Sequence, residues 1–541
     1  MNTKNVLKIA LCILIGFVLF FIVNYFAHIP LNLKFPSLII VLVISIAIPL
    51  IILAIKKAIC KEDTSYISIV GKILCGAFAV YLVYAVVTTN VITNAKDYRG
   101  LLGEVKNENF DEKISPIDLS QIPVIDEEYS LKIAESRLGE LSALGSQVQL
   151  GTPTIQQVNG VLQYVIPLEH SGFFQWLSNK DGTPGYITVN ANNPSDVKLV
   201  TSLNGEDLKM KYLTSSFFSN DIHRYAHSQN KTIGLTDYSF ELNDSGRPYW
   251  VISKYEKQVG VSGRAVVGIM IIDAQNGEVT EYDNSSIPSW VDMVQPMYIV
   301  NDNINSWGKY INGFRFSKKD KLKATNGTNT IYNNGNCYYY TGITSVGSDE
   351  STVGFMLVDT KTGESTLYKM PGGITELAGS QAVEGKVQQF GYTSTMPTLI
   401  NVQNQPTYFT LLKDNNGDIK MYGMVNVQQR NIIAVGETLN ETMNNYVDSL
   451  TENGSNSLET SGEIKVGKGT VERIGLLPTD KGSLFYIITK ENNTTLIIAP
   501  SSISKELPIT KEGDSITFEY VDMGTSDITI KAFDNINLDI K

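Results

Sequence analysis

Two histidines four residues apart, His223 and His227, are the first place in this 541-residue chain where spacing could assemble chemistry. On a helix that interval puts both imidazoles on one face, where they could share a metal ion. The intervening string is Arg224-Tyr225-Ala226. It supplies no glutamate for hydrolytic zinc chemistry, and Arg224 opposes a cation, so solvated helix residues are the better reading. His28 and His170 stand alone in sequence. Asp414-Asn415-Asn416-Gly417-Asp418 has the composition of a calcium loop. Its glycine comes too early and the distal glutamate is missing, which leaves a hairpin turn. Cys337 reads as a small buried strand residue, not a nucleophile.

Longer motifs fail on context. Gly379 to Lys386 approaches a phosphate-binding loop, but five residues separate Gly379 from Gly385-Lys386 where four are needed, and Val387 takes the hydroxyl position. Ser502-Ile503-Ser504-Lys505 with Lys361-Thr362-Gly363 has pieces of a penicillin-binding active site, in reversed order and in different domains. No catalytic, cofactor-binding or metal-ligating set is defended, no cofactor is implied, and the chain is read as non-enzymatic.

The elements that would have to position such residues carry a stronger message. Gly268 to Tyr282 (GIMIIDAQNGEVTEY) is an apolar strand, a tight turn and a return strand, and Gly354 to Tyr368 (GFMLVDTKTGESTLY) repeats it. Looser copies run from Gly185 to Val200 and around Gly423, with Asn190 and Gln428 set against Asp273 and Asp359. Loss of charge in two copies favours a turn-forming role for these residues over metal binding. Each hairpin follows a helix, a strand, a turn and a second strand, so four units form a period. Their helices are expected near Ser130 to Leu144, Ser216 to Gln229, Val291 to Ile311 and Ile374 to Gln388, with Ser130 as the first cap. Asn159-Gly160 marks the tightest hairpin. The second strands carry aromatics at matching places: Tyr164, Tyr249-Trp250, Tyr338-Tyr339 and Tyr408-Phe409. Core packing explains a shared position better than a stacking platform for sugars or peptides.

Three apolar runs open the chain, Val6 to Ala27, Ser37 to Ile55 and Ile67 to Val91, each long enough to cross a hydrocarbon core of about 30 Å. Lys4, Lys8, Lys56, Lys57 and Lys61 place the N-terminus and second connection in the cytoplasm, and everything after about residue 92 outside. Apart from Lys8 at the start of the first run and Lys72 near one end of the third, the spans hold no charged residue, which favours an anchor over a transporter. A net charge of −11 argues against nucleic acid as a partner.

The pattern in residues 129–437 resembles the PepSY-like extracytoplasmic module, a helix laid on an antiparallel sheet. The strand Tyr249-Trp250-Val251-Ile252 and the closing strand Ile271-Ile272-Asp273 before Gly277 carry the likeness. The resemblance implies regulatory or inhibitory binding in the cell envelope and no shared catalytic residues. Residues 463–541, with five short strands, are similar to an OB-like small barrel.

The expected architecture is α+β: a three-span anchor (1–95), a juxtamembrane linker (96–128), four α+β repeats (129–205, 206–288, 289–372, 373–445), a linker (446–462) and a C-terminal β-barrel (463–541). The expected role is a membrane-anchored scaffold or regulator binding another cell-envelope protein, with homo-oligomerisation allowed. The rivals are an envelope enzyme or protease regulator acting on peptide or glycan, with Asp126 to Glu128 among its acids, and a membrane subunit of a secretion or conjugation apparatus.

Overall fold

Three N-terminal helices, α1 (Thr3–Ala27), α2 (Pro36–Ile59) and α3 (Ser65–Thr89), are each long and apolar enough to cross a membrane. The computed structural model describes residues 3–108, 122–140, 147–315, 320–333, 335–345, 351–452, 464–479, 482–492, 495–501, 503–521 and 527–538. The chain divides into two compact units, Met1–Glu108 with Ile125–Pro371, and Asn109–Val124 with Gly372–Lys541. Helices α1 and α2 touch through Gly16, where a Cβ would stand 2.7 Å from the Ile46 Cα. Small residues permit this approach where apolar tails remove any hydrophobic drive. Gly71 and Gly76 on α3 have nothing within 4 Å. The Asn90 side chain accepts from the Ile92 amide and starts α4 (Val91–Gly100), so the third apolar helix ends earlier than its composition suggested.

The segment expected as a linker is partly structural. Strand β1 (Val105–Glu108) lies parallel to the edge of the third sheet, and Ile122, 1% exposed, enters the fourth repeat's core. Its single apolar residues were masked by a polar composition. The stretches 109–121 and 453–462, residues 141–144 of the first expected helix, and Ser502 lie outside the described residues.

In repeat 1, helix α5 (Glu127–Gly139) precedes β2 (Val148–Leu150), β3 (Thr154–Val158), β4 (Val161–His170), the short helix α6 (Phe173–Ser178), β5 (Tyr186–Asn190) and β6 (Val197–Val200). The cap of α5 is Asp126, not Ser130: its carboxylate accepts from the Tyr129 amide, and Ser130 is already inside the first turn. Glu127 and Glu128 complement the positive end of the helix. Asn159 and Gly160, both at positive φ, form the turn between β3 and β4.

Repeat 2 has α7 (Ile222–Gln229) and the antiparallel meander β7 (Gly234–Leu242), β8 (Pro248–Val259), β9 (Ser262–Asp273) and β10 (Val279–Asp283). Repeat 3 has α8 (Met297–Lys309) and β11 (Leu322–Asn333), β12 (Asn336–Ser345), β13 (Ser351–Asp359) and β14 (Ser365–Ile374). Helix α8 packs Ile299 against the Val251 face of the second sheet and Val300, Ile304 and Trp307 against the Tyr339 face of the third. One helix thereby fills two cores.

In the second unit, repeat 4 has α9 (Glu376–Lys386), β15 (Thr393–Ser394), β16 (Thr398–Val402), β17 (Gln405–Lys413), β18 (Ile419–Asn426) and β19 (Ile433–Gly436). Helix α10 (Leu439–Glu452) runs through the expected boundary at 445, because Met443, Tyr446, Val447 and Leu450 bury against Phe409, Leu411 and Met424. Polar residues around that apolar stripe give the segment the composition of a linker. Five further strands, β20 (Ile464–Thr479), β21 (Gly482–Thr489), β22 (Leu496–Pro500), β23 (Ser515–Val521) and β24 (Asp527–Asn535), close a barrel in the order β20-β21-β22-β24-β23. Strands β22 and β24 are parallel, and β20 pairs with both β21 and β23.

Candidate functional site

The repeat has a shared turn built by one residue. Asn190, Asp273, Asp359 and Asn426 each accept, through Oδ1, the amides two and three residues on. These Asx turns end β5, β9, β13 and β18, one strand in each repeat. The fourth copy is therefore Asn426 and not Gln428, whose amide is one of the donors. The turn-forming role expected for these positions is what their hydrogen bonds perform.

Opposite them stand Gln163, Tyr249, Tyr338 and Thr407, and the next residues, Tyr164, Trp250, Tyr339 and Tyr408, are all buried. Their polar tips reach the chain ahead of each repeat's helix. The Tyr164 hydroxyl donates to the Ile125 carbonyl, Trp250 Nε1 to Tyr212 and the Tyr408 hydroxyl to Ile374, while Tyr339 meets the Met293 sulfur at 3.6 Å. Burial with a satisfied polar end is a core role, so these rings do not offer a stacking platform.

Gly185, Gly268 and Gly354 each stand five residues before the turn residue. A Cβ there would lie 1.9, 2.1 and 2.2 Å from the carbonyls of Val200, Tyr282 and Tyr368. Gly423 is not the fourth member. That place is Met421, next to the Tyr422–Gly436 pair that ends the ladder. Gly423 instead admits Val383 of α9.

The motif residues resolve into structural parts. Gly379 lies in α9 as the seat of the Tyr408 ring, 2.6 Å from where a Cβ would be, and the string through Lys386 is helical. Lys361 donates to the Ser289 carbonyl from within the third Asx turn. Asp414 accepts the amides of Asn416 and Asp418, with the Lys420 ammonium 3.4 Å from its carboxylate where a calcium ion would sit. Burial pushes the Cys337 thiol up to about 12, which leaves it unreactive. Burial, with the charge of Asp126 beside it, raises the Glu127 carboxyl, but both belong to the start of α5.

Two constellations were not read from the sequence. The first is a buried polar knot joining repeats 1, 2 and 3. Gln156 pairs its side-chain amide with the Leu242 amide and carbonyl, at 2.8 and 2.7 Å, as a strand residue would. Beside it Glu241, 0% exposed, accepts the Asp292 amide through Oε2. Asp292 in turn accepts the Gln157 amide and lies 3.8 Å from Lys361 Nζ. Burial, and then the Asp292 charge, push the Glu241 carboxyl up to about 8, so it is mostly protonated at neutral pH. Lacking any solvent exposure, it cannot meet a substrate.

The second is the junction between the α1–α2 connection and repeat 2. The Leu31 amide donates to the Lys231 carbonyl at 2.6 Å, and the Asn32 side chain reaches the Thr232 carbonyl. His28 stacks on His223 at 6.4 Å and lies 5.9 Å from His227. Three of the four histidines thus meet, although spacing alone suggests a solvated pair and an isolated His28. Buried His227 is one of them, and among the described residues its Nε2 meets no hydrogen-bond partner. Among the described residues no His, Cys, Asp and Glu group of three has metal-holding geometry. A cavity of about 430 Å³ beside them is lined by Asn24, His28, Arg224, His227 and Lys231 with Phe21 and Tyr25. Burial lowers the affinity of all three imidazoles for a proton.

No family model and no curated protein matches the chain. Among solved structures, an endo-1,4-β-xylanase of Bacteroides thetaiotaomicron is similar at 10% identity over 54% of this chain and 76% of its own, with a TM-score of 0.17. A B. megaterium levansucrase variant aligns at 11% identity over 79% and 95%, with a TM-score of 0.19. A polysaccharide lyase aligns at 9% over 69% and 77%, with a TM-score of 0.17. At such scores the likeness carries no argument about fold or activity.

Proposed function

We propose that the protein is a membrane-anchored extracytoplasmic scaffold or regulator that binds another cell-envelope protein through its PepSY-like units, with an OB-like barrel at its C-terminal end. The observation that carries this reading is that the residues repeated in all four units are spent on turns and cores. What the repeats leave available is strand edge. Strand β10 ends the second sheet with half-exposed residues, and β6 ends the first. An extended peptide adds to such an edge through main-chain hydrogen bonds. The parallel third and fifth strands of the barrel support the OB-like assignment.

The orientation with residues after about 92 outside is supported by the junction just described. The α1–α2 connection touches repeat 2, as it should if both lie on the side opposite the basic second connection. In-cell crosslinking of the full-length protein, with neighbours identified by mass spectrometry, tests the proposal. A recurrent envelope protein at near-stoichiometric yield is expected. Retention of only peptide or glycan fragments would favour the enzyme reading instead.

A further inference from the structure

An exposed aromatic ledge runs beside the end of α1. Phe173, Phe174 and Leu177 come from α6, and Phe217 and Phe218 from the segment before α7. Their rings hold one another: Phe173 meets Phe217 edge-on at 5.0 Å, and buried Trp176 lies 5.5 Å from Phe217 and 5.7 Å from Phe218. The ledge is thus a built surface, with Trp176 as its footing. Yet Phe174 is 75% exposed and Phe218 57%. Large contiguous apolar exposure of this kind marks an interaction surface.

The position of the ledge names its occupant. The Phe218 carbonyl accepts from Arg224 Nη1, and the same guanidinium donates from Nε to the Tyr25 carbonyl and lies over the Tyr25 ring. One side chain therefore ties the ledge to α1 two residues before its last, Ala27. Phe21, Tyr25 and Phe26 on that turn are exposed as well. At the end of a spanning helix such aromatics mark the headgroup level. The ledge continues that belt onto the repeats. Cations stand near it: Arg224 and Lys231 line the cavity beside the end of α1, and Lys180 lies 5.8 Å from the Trp176 ring. Exposed aromatics with cations close beside them suit the acyl boundary and phosphate layer of a bilayer.

We infer that this face of repeats 1 and 2 rests in the membrane leaflet at the C-terminal end of α1, with the ledge at the headgroup–acyl boundary and Arg224 and Lys231 facing lipid phosphates. The contact makes the repeats lie against the membrane instead of standing off it.

The test uses the full chain, with the two exposed cysteines removed as Cys60→Ala and Cys75→Ala. A spin label at Phe174→Cys is compared with one at Val161→Cys in vesicles of phosphatidylethanolamine and phosphatidylglycerol. Val161 is exposed and opens the strand whose far end leads into α6, about 30 Å away at 3.3 Å per residue. Oxygen, which partitions into lipid, should relax the Phe174→Cys label several-fold more than a water-soluble nickel chelate does, with the reverse at Val161→Cys. Equal water access at the two sites would overturn the inference. So would a label shielded from both relaxers, which would mean a protein contact. Phe174→Asp, at a site too exposed to disturb the core, guards against misfolding: lipid-dependent shielding of a label at Phe218→Cys should fall, and unchanged shielding would also overturn the inference.

Discussion

The guanidinium of Arg224 lies 4.2 Å from the centroid of the Tyr25 ring, and its Nε donates to the Tyr25 carbonyl at 3.2 Å. A residue of the second repeat thus pins the end of the first apolar helix. Arg224→Ala removes that contact together with the bond to the Phe218 carbonyl. The cation–π term alone is worth about 0.5–2 kcal/mol. Hydrogen exchange should show the 28–35 and 218–232 segments losing protection together, while the barrel is unchanged. Arg224→Lys should restore only part of it, because an ammonium lacks the planar fork.

Tyr408 separates packing from ligand stacking. Tyr408→Phe keeps the ring and loses the bond to Ile374, at a cost of about 0.5–1.5 kcal/mol. Tyr408→Ala should cost about 3–5 kcal/mol and open the fourth repeat. Chemical denaturation followed by exchange at β17 and β18 checks both. Unchanged stability with lost sugar or peptide binding would return the aromatic series to a ligand role.

Gly268→Ala places a methyl carbon 2.1 Å from the Tyr282 carbonyl at a φ of +148°. We expect more than about 3 kcal/mol of destabilisation, or no folded second repeat, since the clash is with backbone. Met421→Ala, at the equivalent place in repeat 4, should leave the ladder intact. Exchange rates over β9–β10 and β18–β19 distinguish the two outcomes.

Glu241 sets a pH dependence of definite sign. Its folded carboxyl, at about 8, lies above the unfolded range, so the folded state holds more protons between them. The stabilisation is complete below the unfolded value and is lost as pH rises through about 8. The buried imidazoles of His28, His223 and His227 act oppositely, because burial holds each below its usual value. Their neutral forms favour the folded state above about pH 6.5, and this is lost as pH falls through their lowered values. Glu241→Gln should therefore flatten the alkaline loss of stability and leave the acid limb in place. Denaturant midpoints measured between pH 5 and 9 test this.

How much of this was legible in sequence depended on the range of the forces involved. The turns at Asn159-Gly160 and Asp273, the paired strands, the three apolar helices and the five barrel strands are set by local φ preferences and alternation, and they stood in the letters. The cap did not, because Asp126 and Ser130 both suit the role and only one is placed to reach the Tyr129 amide. Helix α10 was hidden because its stripe of Met443, Tyr446, Val447 and Leu450 is diluted by asparagine. The Gln156–Leu242 pair joins residues 86 apart, and no spacing rule announces it. The same holds for His28 against His223 and for the ledge, whose two halves, Phe173-Phe174 and Phe217-Phe218, lie 44 residues apart.

The central claim is that sheet edges of the repeats take a protein partner. A photo-crosslinking residue in place of Thr280, exposed on edge strand β10, tests it most directly in intact cells expressing the full chain. A single discrete adduct, absent when the probe is moved to buried Ile271, is the predicted result. No protein adduct at Thr280 or at the β6 edge, with peptide or glycan fragments retained instead, would contradict it.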